Sequence, residues 1–142
     1  MDIKKNIEQY GWHFIFVFDP DGEKENFSYT VGFEETYKFP EIIIFGLNKD
    51  SAHGICTDIA DDLAKGKTYP LNTKIADVIG GDYKVLFKEV LPEKFDGYLN
   101  GCLSYYKKPF RACVMFWPDK DGMFPFEYGY KSKAQNEALQ IV

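Results

Sequence analysis

At 142 residues with ordinary globular composition, the chain fits one domain, residues 1–142, able to bury roughly two-thirds of its unfolded surface without staples. A net charge of −5 with scattered Lys and Arg argues against a nucleic-acid binder, whose affinity comes from basic side chains neutralising phosphates, and suits a basic partner better. No apolar run approaches the roughly 18–20 residues that span a bilayer and the start MDIKKNIEQYGW lacks a signal-peptide core, so a cytoplasmic protein without membrane contact is expected.

Residues 1–9 are polar and read as a short helix or a lead-in. From Trp12 to Phe18 both alternating sets are apolar apart from His13, which predicts a strand covered on both faces. Asp19-Pro20-Asp21-Gly22 is a turn signal, and the strand Phe27 to Phe33 after it makes a hairpin the simplest arrangement. Gly32 inside that strand marks a bulge or a close approach of backbones. A polar link, Glu34 to Pro40, leads to Glu41-Ile42-Ile43-Ile44-Phe45, whose unbroken apolar run predicts a central strand.

Asn48 is a plausible N-cap for a helix to about Lys65, with Gly66 as its stop. Ala52, Ile55, Cys56, Ile59, Ala60 and Leu63 form one apolar stripe, opposite Asp58, Asp61, Asp62 and Lys65. The segment from Thr68 to Asp82 reads as loop with a short strand near Ile75, followed by an alternating, half-exposed strand from Tyr83 to Lys88. A second helix is predicted from Pro92 to Tyr106 on the stripe Phe95, Tyr98, Leu99, Cys102, Leu103 and Tyr106, ending before Pro109. Phe110 to Trp117 is a further strand, Pro118 to Gly122 a second turn, and Met123 to Tyr128 an extended edge piece. The fold class is α+β: a mixed or antiparallel sheet of five to seven strands covered by two amphipathic helices.

Tyr10-Gly11-Trp12, Tyr29-Thr30-Val31-Gly32-Phe33, Pro40-Glu41 with its Ile run and Gly46-Leu47, and Trp117-Pro118-Asp119 with Gly122, Phe124-Pro125 and Glu127 occur in this order. In these blocks the chain resembles the bacterial family catalogued as domain of unknown function 4262, over about residues 10–135. Phe126 stands where that family's pattern has Trp and Phe33 where it has Leu, and both keep the apolar character. The resemblance implies a small bacterial protein with no assigned reaction, and some relatives resemble immunity proteins that sit beside toxin genes.

The residues themselves favour recognition over catalysis. The two Asp-x-Asp-Gly runs place Gly fourth and lack the ligand spacing of a calcium loop, so turns explain them. Cys56, Cys102 and Cys113 have no CxxC spacing and read as buried free thiols. His13 and His53 lie far apart in sequence and read as structural or solvated, so neither a zinc site nor any cofactor is expected. Asp58, Asp61 and Asp62 form an acidic helix face able to dock a basic toxin domain. The leading expectation is therefore a noncatalytic protein-binding immunity protein. Its alternative is an enzyme or small-molecule binder with an aromatic pocket at Tyr29, Trp117, Asp119 and Glu127.

Overall fold

Five strands, β1 (His13–Val17), β2 (Phe27–Val31), β3 (Glu41–Phe45), β4 (Leu86–Glu89) and β5 (Ala112–Phe116), form one open mixed sheet in the order β1-β2-β3-β5-β4. The structure, a computed structural model, describes residues 2–142. β1 and β2 make the predicted hairpin, with His13 opposite Val31 and Val17 opposite Phe27. The turn between them is held by the Asp19 carboxylate, which accepts backbone N–H bonds from Asp21, Glu23 and Lys24. β3 runs antiparallel to β2 and parallel to β5, placing the Ile run at the centre with all five residues buried.

Because side chains alternate across a strand, β3 serves two cores at once. Ile42 and Ile44 meet Cys56, Ile59, Ala60 and Leu63 of α3 (Lys49–Ala64) on one face. Ile43 and Phe45 face Leu99 and Cys102, with Ile7, Ala138 and Ile141, on the other. That second layer is made of α1 (Ile3–Tyr10), α4 (Asn100–Tyr105) and α5 (Asn136–Leu139). Each fully buried Ile or Phe contributes about 1.5–3 kcal/mol, so both faces of β3 carry a large share of the stability. The result is an α+β fold of helices, sheet and helices. No helix among the described residues is long and apolar enough to cross a membrane.

α3 begins and ends where its caps predict. The Asn48 side chain accepts from the Ser51 N–H at 2.8 Å, and Gly66 takes the left-handed conformation just beyond the last turn. All three cysteines are buried and free.

Several elements differ from expectation. The helix predicted over 92–106 is a 3₁₀ turn at Pro92–Lys94, a break, and then α4. Gly97 sits at φ +88° and donates to the Asn100 side chain, so the Asp96-Gly97 pair acts as a turn while Phe95, Leu99, Cys102 and Tyr106 keep their inward stripe. β1 is an edge strand, and its residues 14–17 are half-buried because no further strand covers them. The link after β2 contains a short helix, α2 (Phe33–Tyr37). In place of the half-exposed strand over 83–88, Leu86 and Phe87 of β4 are both buried, each under a different core. Residues 123–128 form turns and no strand, and the element near Ile75 is a single bridge to Val85.

Gly32 makes the close approach its place in the strand suggested. It lies at φ +114°, and a Cβ there would sit 2.9 Å from the Gly11 carbonyl oxygen and 3.1 Å from Trp12 Cα. Backbone cannot yield as a side chain can, so Gly32→Ala is expected to cost roughly 2 kcal/mol or more in urea unfolding. An unchanged midpoint would show that the 11–12 segment moves freely.

Candidate functional site

The most constrained group in the molecule is Glu41, at the start of β3 and fully buried. Its carboxylate accepts five hydrogen bonds: from the Thr30 and Tyr106 hydroxyls and from the backbone N–H groups of Gly32, Phe33 and Glu34. Thr30 is held in the donating sense because its oxygen also accepts from the Ile42 N–H at 3.0 Å. One carboxylate thereby ties β2, the first turn of α2, β3 and the end of α4 together. Desolvation by burial pushes the Glu41 pKa up to about 7, against the bonds from Tyr106, Glu34, Thr30 and Phe33, which pull it down. The phenol of Tyr106 is raised by burial and by the Glu41 charge. Just outside, Arg111 grips Glu34 through two bonds of 2.8 and 2.7 Å and holds that carboxyl below its ordinary range. These contacts fill every oxygen they involve, so the cluster organises structure and leaves no open position for a substrate.

The acidic face of α3 is concave. Asp58, Asp61 and Asp62 line a polar cleft of about 310 Å³, closed from the loop side by Asp77 and Tyr69. The Tyr69 hydroxyl donates to Asp62 at 2.6 Å and, with Lys67 at 3.7 Å, lowers that carboxyl's pKa. Asp58, Asp61 and Asp77 have no ion-pair partner among the described residues. Lys65 is the one basic side chain in the lining. Asp77 adopts φ +65°, a conformation that Asp tolerates better than most residues. Its contribution was not visible in sequence because it depends on how the 67–85 loop folds back over the helix. The arrangement leaves Asp58, Asp61 and Asp77 unpaired among the described residues, around a polar cleft roomy enough to admit a basic side chain.

Of the residues of the expected aromatic pocket, Tyr29 lies on the opposite face of the sheet from Trp117. Tyr29 packs in the core beneath α4, where its hydroxyl accepts from the Gly101 N–H at 2.8 Å, whereas Trp117 packs against the core of the opposite face. Trp117 donates its indole N–H to the Phe45 carbonyl at 2.8 Å and lies over Gly46. Its backbone is clasped by the buried Gln135 amide, which both accepts from the Trp117 N–H and donates to its carbonyl. The Asp119 carboxylate accepts from the N–H groups of Lys131, Met123 and Asp121, and these bonds lower its pKa. Glu127 pairs with Lys74 at 2.8 Å and accepts from the Phe124 N–H.

A second cleft, of about 500 Å³, opens between α1, the start of β1 and the first half of α3. Both histidines are in its wall, brought together by the fold from distant places in the chain. The His53 ring stacks on Trp12 at 6.0 Å and meets Phe14 edge-on at 5.0 Å. His13 is buried, its Nδ1 2.9 Å from the Asn6 amide, and burial lowers its pKa, so the ring is neutral. The thiols lie elsewhere, in the cores: burial pushes Cys56 up to about 12 and also raises Cys102 and Cys113, which keeps them protonated.

Fold and clefts together define a small α+β domain with a buried carboxylate clamp and an acidic cleft on its longest helix. The chain belongs to the DUF4262 family, described as a domain of unknown function, whose family model matches residues 6–131. No curated protein and no solved structure matches it.

Glu41→Gln puts an amide N–H₂ in place of one carboxyl oxygen, where it faces the backbone N–H groups of Gly32, Phe33 and Glu34 or hydroxyls already engaged with Ile42 and Glu35, and is expected to destabilise by roughly 2 kcal/mol at about pH 5. The folded-state pKa of Glu41 is raised, so its stabilising contribution is complete below the ordinary glutamate value and is lost as pH rises through about 7. His13, lowered by burial, acts with the opposite sign: its contribution is present above its ordinary value and lost as pH falls. Subtracting the variant's urea stability from that of the native protein cancels His13. The difference should shrink as pH rises from about 4.5 to 7, and a difference independent of pH would contradict the assignment.

Proposed function

We propose that this chain is a noncatalytic protein-binding domain of the bacterial cytoplasm, an immunity protein that neutralises a cognate toxin by receiving a basic side chain of the toxin in the acidic cleft of α3. The observation that carries this reading is the convergence of Asp58, Asp61, Asp62 and Asp77 on one polar concavity with Lys65 as the single basic group beside them. A partner Lys or Arg entering there meets several carboxylates in a partly shielded setting, where attraction is stronger than on an open surface. Protonated core thiols and an Asp119 occupied by three backbone N–H groups lend less support to the alternative of an enzyme or ligand pocket at Trp117.

The test is calorimetric titration of the purified product of the adjacent gene into this protein. Binding is expected to weaken with added salt, and Asp58→Lys/Asp61→Lys is expected to cost about 2 kcal/mol or more, roughly thirtyfold, with an unchanged melting temperature because both positions are exposed. Absence of binding, or equal affinity of the reversed variant, would contradict the reading.

A further inference from the structure

The cleft between α1, β1 and α3 is chemically the opposite of the acidic one. In a chain with 22 acidic residues, none lines it. Its walls are aromatic, from Trp12 and Phe14 with Tyr10 at the mouth, where Tyr10 is 63% exposed. The polar groups that face inward are Lys49, the two histidines, Asn6 and Thr57. Lys49 has no carboxylate partner among the described residues.

The fold builds this place deliberately. Gly11 ends α1 at φ +90°, and the Thr36 hydroxyl donates to its carbonyl at 2.6 Å, fixing the corner from which Trp12 projects. Phe33 then supports the indole edge-on at 5.4 Å. Trp12 is therefore held by the core through Phe33 and covered on one ring face by His53, and it borders the cleft. A volume of about 500 Å³ lies within the range of small-molecule sites, which combine apolar walls with a few placed polar groups.

We propose that this cleft binds a planar aromatic molecule carrying one anionic group, its ring against Trp12 and Tyr10 and its anion at Lys49 and His53. The ring surface supplies the burial and the stacking; the cationic amine in a wall without carboxylates selects an anion over a neutral or cationic ring. This site is separate from the α3 acidic cleft, and neither proposal depends on the other.

The probes that separate the parts of the proposal are 2-naphthoate, which has ring and anion, 2-naphthylmethanol, which has the ring alone, and inorganic phosphate. Each is titrated into ¹⁵N-labelled protein while the Trp12 and Trp117 indole signals and the histidine ring signals are followed. Naphthoate is expected to move Trp12 and His53, leave Trp117 in place, and bind roughly tenfold more tightly than the alcohol. Lys49→Gln should bring the two ring compounds level. Tyr10→Ser should weaken both, with melting temperatures unchanged because these side chains are exposed. Equal affinity of naphthoate and alcohol for the native protein would overturn the proposal. So would phosphate matching naphthoate, an undiminished preference in Lys49→Gln, shifts centred on Trp117, or no saturation at millimolar concentration.

Discussion

One buried carboxylate governs the shape of this domain. Glu41 opens the most apolar strand of the sheet, a position where a carboxyl group is costly to bury unless its oxygens are met by hydrogen-bond partners. Five donors meet it, and they come from β2, from the junction and first turn of α2, and from Tyr106 just past α4, so one carboxyl group reinforces the strand pairing and the α4 packing at that strand end. The three successive N–H groups of Gly32, Phe33 and Glu34 are the ones that a helix start leaves without intrahelical partners. Glu41 satisfies them from outside, so a helix of only five residues persists directly after a strand. Removing the carboxylate would leave buried donors unmatched on several elements at once, which is why the cluster behaves as a unit and not as five separate bonds.

That junction also fixes the two clefts. Phe33, placed by the α2 turn, supports Trp12 on one side and packs beside Tyr37 on the other. α3 separates the clefts: its first half, with Lys49 and His53, closes the aromatic cavity, and its second half, with Asp58, Asp61 and Asp62, forms the acidic one. One helix therefore presents opposite chemistries at its two ends. Neither cleft contains the Glu41 cluster, whose oxygens are fully engaged. The inner carboxyl group builds the frame, and the two clefts lie on surfaces that the frame holds apart.

Much of this frame was legible in the sequence. The Ile run of β3 is apolar at both parities, and only a strand buried on both faces needs that, so its central place followed. α3 was legible because its stripe, its Asn48 cap and its Gly66 stop agree. Agreement failed over 92–106: the stripe continued through Asp96-Gly97, and the local turn chemistry prevailed because a turn can keep the same residues facing inward. Glu41 carried a signal of its own, a charge beside four apolar residues, but its partners lie from 7 to 65 positions away and no local pattern names them. The acidic helix face was visible and its concavity was not, since Asp77 belongs to a loop. The two histidines looked isolated for the same reason. The turn at Asp119 was the opposite case: the Asp-x-Asp-Gly pattern describes the observed hydrogen bonds well, with the carboxylate accepting from the N–H groups of Asp121, Met123 and Lys131.

The account stands most directly on the clamp, and native-state hydrogen exchange reads it amide by amide. The Gly32, Phe33 and Glu34 N–H groups lie in a tight turn and the opening of a very short helix, where exchange is ordinarily fast. If Glu41 holds them, they should exchange only with global unfolding, at the free energy shown by the Ile43 and Val114 amides of the central strands. Exchange of those three amides at the rate of an open loop, with the central strands still protected, would contradict the account.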